Sequence, residues 1–147
     1  MVFQRAFLFL VLLCVTVMVN GQPGDVRPRY QQFLLQHVRE RMPIQNCELE
    51  MTTLPRNSVT CKKTNTFILA KPELVIPICN SGGTNTHSNL FQSTKPFIVV
   101  ICQREENMLP NCKYKGKSST RYVTIACDRG FPVHYDGDVD IGTTDGK

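Results

Sequence analysis

Apolar positions first recur at helical spacing in "RPRYQQFLLQHVRERM", where Tyr30, Phe33, Leu34, His37 and Val38 fall at i, i+3, i+4, i+7 and i+8. The spacing predicts a helix with one buried stripe, suited by Pro28 in its first turn and stopped by Pro43 just beyond Met42. His37 lies on the apolar side. The helix alone leaves it either a half-buried core histidine or a group held inward for chemistry. "CELEMTT", residues 47 to 53, predicts a second short helix ended by Pro55. In "KPELVIPIC" Pro72 can open a helix and Pro77 breaks one, so any helix there is brief.

Strand-like composition appears in "SVTCK" and "TFILA" and dominates the second half of the chain. After "NSGGTNTHSN", a glycine-rich polar loop over 80–89, come "KPFIVVIC", "CKYKGK", "STRYVTIAC" and "GFPVHYDG". Pro110, Asn111, Gly116 and Gly130 supply the turns between them. Helices early and strands late predict an α+β domain with an antiparallel sheet. The acidic, glycine-rich tail from Asp136 is expected to fray beyond the last strand. Strand alternation in "GFPVHYD" puts Pro132, His134 and Asp136 on one face and Val133 and Tyr135 on the other. A carboxylate beside an imidazole orients the ring and raises its pKa, as a general acid needs, whereas an ordinary polar strand face looks the same in sequence. His87, in the polar loop, reads as a solvated surface residue.

The first residues follow a different pattern. "MVFQRAFLFLVLLCVTVMVNGQ" has one positive charge at Arg5, an apolar run from Ala6 to Val19 and a small residue at Gly21. This is the pattern of a secretory leader cleaved between Gly21 and Gln22. The run is shorter than the roughly 20 residues that span a bilayer. The expected organisation is a leader over 1–21 and a single domain over 22–147, secreted and extracellular. One of the seven cysteines, Cys14, lies in the leader. The others, Cys47, Cys61, Cys79, Cys102, Cys112 and Cys127, form an even set in an oxidising compartment and point to three disulfides. Zinc is disfavoured, because no CxxC pair occurs and no histidine is spaced as a ligand near the cysteines.

Charge narrows the partners. The chain carries +5 at pH 7, and loss of Arg5 leaves about +4, which favours an anionic partner such as RNA, a heparin-like glycan or a bacterial membrane. Two histidines from opposite ends of the chain, with a lysine fixed beside a disulfide in "CKKTNTF", make a base, an acid and an anion stabiliser. Metal-free RNA cleavage needs this set: a base takes the 2′-hydroxyl proton, an acid protonates the departing 5′-oxygen, and a fixed cation stabilises the charged phosphorane.

"FLLQH" in the first helix, "CKKTNTF" mid-chain and "PVHYD" near the C-terminus, with six cysteines in this order, resemble the pancreatic-type (ribonuclease A) superfamily, and three disulfides its angiogenin-like branch. The resemblance implies a ribonuclease A-like α+β fold with short N-terminal helices packed on a bent antiparallel sheet. It implies a monomeric endoribonuclease without a cofactor, cleaving single-stranded RNA 3′ of pyrimidines through a 2′,3′-cyclic phosphate. His37 matches the base, His134 the acid and Lys62 the transition-state lysine. Gln36 matches a phosphate-binding glutamine, Phe33 an aromatic under the helix, and Thr66 the pyrimidine-reading threonine, with Asn65 beside it. Tyr135 takes the place of a phosphate-contacting residue, Asp136 that of the aspartate orienting the acid, and Asn89 that of an asparagine favouring a 3′ purine. The implied disulfides are Cys47–Cys102, Cys61–Cys112 and Cys79–Cys127.

Some positions depart from the branch. A glutamine that blocks the pyrimidine pocket in angiogenin is replaced by Gly137, which implies an open pocket. An arginine run linked to nuclear delivery is reduced to Arg56, and basic phosphate-holding positions on the first helix are Gln32 and Leu35. The alternative function is a cationic effector, angiogenic or antimicrobial, acting at membranes or cell surfaces through Lys113, Lys115, Lys117, Arg121, Arg39 and Arg41.

Overall fold

The computed structural model describes residues 25–55, 61–106 and 112–141. The leader over 1–21, residues 58–60 of "SVTCK", the turn residues Pro110 and Asn111, and the tail from residue 142 lie outside them.

Helix α1 runs Val26–His37 and buries Val26, Tyr30, Phe33 and His37. It ends five residues before the expected stop at Met42. Val38 turns to an extended conformation, and Val38–Arg39 form strand β1, paired with Ile68 and Leu69. The Arg39 guanidinium caps the helix end by donating to the carbonyls of Leu35 and Val38 at 2.7 and 2.9 Å. It also donates to Glu50 at 2.6 Å and lies 4.8 Å over the Phe67 ring. Pairing across the chain thus outweighs the helical periodicity of residues 38–42. A 3-10 turn, Ile44–Asn46, leads into α2, Cys47–Thr52, as expected for "CELEMTT". The ambiguous segment divides into α3, Pro72–Val75, and a 3-10 turn, Ile76–Cys79.

The remaining strands are β2 (Thr64–Leu69), β3 (Gly83–His87), β4 (Leu90–Ser93), β5 (Phe97–Glu106), β6 (Lys113–Asp128) and β7 (Phe131–Asp140). Their order is β1-β2-β5-β6-β4-β3, with β7 paired to β6. The sheet is mixed, not wholly antiparallel, because β1 and β2 are parallel. The predicted 80–89 loop is mostly the β3–β4 hairpin. Here Gly83 approaches the preceding 3-10 turn so closely that a Cβ would lie 1.9 Å from the Ile78 carbonyl oxygen. "CKYKGK" and "STRYVTIAC" belong to one strand, so Gly116 is not a turn residue. It faces Cys102 within β6, where a Cβ would lie 2.6 Å from both Cys47 Sγ and the Ile44 oxygen. The expected fraying after Asp136 gives way to pairing of β7 with β6 through Asp140.

Alternation along the strands feeds two cores. Ile68, Val99, Ile101, Val123 and Ile125 join Phe33 and Ile78 in one cluster; Phe67, Val100 and Cys102 join Met42, Met51 and Tyr114 in the other. The three disulfides have the pairing implied by the resemblance, with Cα separations of 5.6, 6.0 and 5.8 Å. Each is expected to stabilise the fold by roughly 2–4 kcal/mol. No helix among the described residues is long and apolar enough to cross a membrane.

Gly116→Ala is expected to destabilise the fold by about 1–3 kcal/mol through overpacking against Cys47 and Ile44. Urea unfolding should show a lower midpoint at unchanged m. A midpoint equal to wild type would rule out that close approach.

Candidate active site

His37 occupies the last position of α1 and is buried. Its Nδ1 lies 2.9 Å from the Thr66 carbonyl oxygen. A carbonyl only accepts, so Nδ1 carries the proton and Nε2 keeps its lone pair. The ring packs between Phe33, with centroids 5.6 Å apart, and Tyr135, stacked at 5.1 Å. Desolvation lowers the pKa of His37 to about 4; the Thr66 hydrogen bond opposes this, while the charges of Lys62, His134 and Arg39 add to it. His37 is therefore neutral at pH 7. Both other chemical groups are close enough for their charge to be felt there.

Lys62 donates from Nζ to Asn65 Oδ1 at 2.7 Å, and partial desolvation lowers the pKa of its ammonium. Its turn is held at three successive carbonyls. Arg104 Nη1 donates to the Cys61 oxygen at 2.8 Å, the Tyr114 hydroxyl to the Lys62 oxygen, and the Arg104 amide to the Lys63 oxygen at 2.9 Å. The Cys61–Cys112 disulfide adds a covalent tether beside the lysine. Asn65 is almost wholly buried and has both ends of its amide in use: Oδ1 accepts from Lys62 and Nδ2 donates to the Gln36 carbonyl at 2.8 Å. It positions the lysine against the end of α1. Gln36 itself is half-buried.

His134 is exposed on β7, opposite Ala126. Register shifts on either side of this pairing interrupt strict alternation along β7. Asp136 is also exposed, and among the described residues no hydrogen bond joins it to His134. The expected orienting pair is thus not made here. Asn89 lies in the β3–β4 turn, and its backbone oxygen accepts from the Cys127 amide at 2.9 Å. Leu90 pairs with Ala126, which pairs with His134, so this turn lies two strand spacings, about 10 Å, from the histidine. His87 is exposed on β3 and makes no part of the cluster.

Tyr135 carries more than sequence reasoning assigned to it. Its hydroxyl donates to Asp138, which also accepts from Arg121 Nη1 at 2.6 Å. Burial first, and then Asp138, push the phenol well above its usual pKa, so it keeps its proton. The roles of Tyr114, Arg104, Asp138 and Arg121 were missed in the sequence, and only the short spacing of Tyr135 from Asp138 offered a local signal. The suggested cationic surface is reduced accordingly. Arg121 pairs with Asp138 and Asp140, and Arg39 with Glu50, whereas Lys113, Lys115 and Lys117 are exposed at alternate positions of β6.

Known proteins share this sequence pattern and fold. Residues 28–136 match the family described as pancreatic ribonuclease. The chain belongs to the pancreatic ribonuclease family. It is 38% identical over 141 residues to ribonuclease-like 3 of Danio rerio, a match covering 90% of this chain and 94% of that protein. Mouse angiogenin is 32% identical over 132 residues, covering 88% and 91%. The solved structure of zebrafish RNase5 superposes with a TM-score of 0.74 at 45% identity, covering 79% of this chain and 98% of that one. The family makes the chain a ribonuclease with RNA as substrate, and the expected ribonuclease A-like fold is the fold observed.

Burial of neutral His37 links stability to pH. Its folded pKa, about 4, lies below the unfolded 6.5, so between these values the unfolded state binds more protons. Its contribution is complete above pH 6.5 and is lost as pH falls toward 4, by up to roughly 3 kcal/mol. The unfolding free energy of His37→Gln should vary less across this window than that of wild type. Parallel pH profiles would refute the assignment.

Proposed function

We propose that this ribonuclease is secreted and cleaves single-stranded RNA 3′ of pyrimidines by side-chain acid–base catalysis. The carrying observation is the hydrogen bond from His37 Nδ1 to the Thr66 carbonyl, which leaves Nε2 free to accept a proton beside Lys62 and His134. In the proposed first step His37 Nε2 takes the proton of the ribose 2′-hydroxyl, and the 2′-oxygen forms a bond to phosphorus. The bond from phosphorus to the 5′-oxygen breaks, and His134 gives that oxygen its proton. The products are a 2′,3′-cyclic phosphate and a free 5′-hydroxyl. Lys62 supplies the fixed cation for the charge that develops on the phosphorane, and Gln36 and the Tyr135 backbone are assigned to the phosphate.

Binding a phosphate near His37 offsets the lysine charge and raises the proton affinity of Nε2, which suits a base that is neutral in the free enzyme. Thr66 is assigned to the pyrimidine and Asn89 to a 3′ purine; Asp136 would have to turn toward His134 to orient it. The acid, base and cation are all side chains, so the proposed step uses no metal, and cleavage in excess EDTA checks this. Secretion is supported by the leader pattern of residues 1–21. A second, compatible action at anionic surfaces is favoured by the exposed row Lys113, Lys115 and Lys117.

His37→Ala and His134→Ala should each lower kcat/KM on a pyrimidine–adenosine dinucleotide by about 10³-fold or more. Full activity in either purified variant would refute the mechanism. At Gly137 a Cβ would meet nothing within 4 Å, which supports an open pocket. Gly137→Gln should therefore slow dinucleotide cleavage by about tenfold. Equal rates would defeat the open-pocket reading.

A further inference from the structure

Arg39 stands two residues beyond His37, and its side chain turns back toward the end of α1. Nη1 donates to the carbonyls of Leu35 and Val38, on either side of His37 in the chain, while Nε donates to Glu50 at 2.6 Å and Nη2 to Thr53 Oγ1 at 3.1 Å. All three guanidinium nitrogens are engaged. The group also rests 4.8 Å over the Phe67 ring, and Phe67 follows the Thr66 whose carbonyl holds the His37 ring. His37 is thus held at its ring by Thr66 and at its flanking backbone by Arg39. The side chains of Arg39 and Glu50 are largely shielded from solvent, 16% and 21% exposed, so salt screens their charges little.

The last carbonyls of a helix have no intrahelical partner and carry partial negative charge, which favours a protonated histidine in the final turn. His37 holds the final position of α1, yet a general base must be neutral before it can accept a proton. We propose that Arg39 is a positioning residue for this base: by binding the carbonyls around His37 it cancels the negative helix end and keeps the ring an imidazole, with Glu50 as the counter-charge that limits the effect. This rests on the reading above that His37 is the base. The other titratable groups around the ring are Lys62, from the turn before β2, and His134 and Tyr135 of β7, with Asp136 exposed beyond them. Burial disfavours the imidazolium most, and the charges of Lys62, His134 and Arg39 act in the same direction. In that reading Lys62 is offset by the substrate phosphate, whereas Arg39 is committed to the helix end. Its influence on His37 therefore persists when substrate binds.

The test is the acid limb of the pH profile of kcat/KM on a pyrimidine–adenosine dinucleotide, with the His37 ring titration followed by NMR in the same variants. Arg39→Gln removes the cation and leaves Glu50 unpaired, and should move both readouts to higher pH by roughly 0.5–1 unit. Glu50→Gln keeps an oxygen for Arg39 Nε but removes the counter-charge, and should move both to lower pH by about half a unit. It preserves the test if Arg39→Gln folds poorly. Arg39→Lys, which keeps the charge, should stay close to wild type. Opposite shifts from two bonded neighbours report charge, which loosened packing would not reproduce. Readouts that stay fixed in Arg39→Gln and Glu50→Gln, or that move the same way in both, would overturn the proposal, as would a shift in Arg39→Lys as large as in Arg39→Gln. His37→Ala separates the two layers. If it abolishes cleavage while the Arg39 and Glu50 variants leave the ring titration unmoved, only the role of Arg39 falls. If His37→Ala cleaves normally, the base assignment falls and this proposal with it.

Discussion

The site depends on two neighbouring residues of β2 that grip the end of α1. Asn65 donates to the Gln36 carbonyl, and the Thr66 carbonyl accepts from His37. Both contacts are buried or half-buried, where an unmet polar group is costly, so they fix the axial position and rotation of the helix end. The same two residues reach the other parts of the site. Asn65 receives Lys62, and Thr66 holds the His37 ring that stacks on Tyr135, so base, cation and the wall beside them are referred to one short stretch of strand.

The opposite end of α1 is held differently. Asp25, Arg29, Asp128 and Arg129 form an exposed ring of ion pairs between the helix start and the β6–β7 turn, with Arg129 at a φ of 50°. The guanidinium of Arg129 holds Asp25 below its usual carboxylate pKa, and Arg29 does the same for Asp128. Such exposed pairs are individually weak, and Tyr30 against Phe131 supplies the apolar contact there. Together they align the helix carrying His37 with the strand pair carrying His134.

Cross-linking and packing divide the labour elsewhere. The Cys61–Cys112 disulfide anchors the lysine turn from one side, while Arg104 and Tyr114 satisfy its carbonyls from β5 and β6. The Cys47–Cys102 bridge draws the first 3-10 turn and α2 so close to β6 that only glycine fits at residue 116. A position that looks like a turn in sequence is thus a contact point between layers.

Local pattern determined much of this protein. The helical stripe through Phe33 and His37, the short helix at Cys47, the β-rich second half and the even cysteine set are all readable because each follows from spacing or composition within a few residues. The three sequence signatures also marked His37, Lys62 and His134 as a group. What the tertiary structure decided is which partners meet. Arg39 ends α1 by reaching Glu50 and the helix carbonyls, residues 83–87 become a strand by pairing with β4, and Tyr114 holds the carbonyl of Lys62. Hydrogen bonds act over about 3 Å in space whatever the sequence separation, so no periodicity in the chain records them.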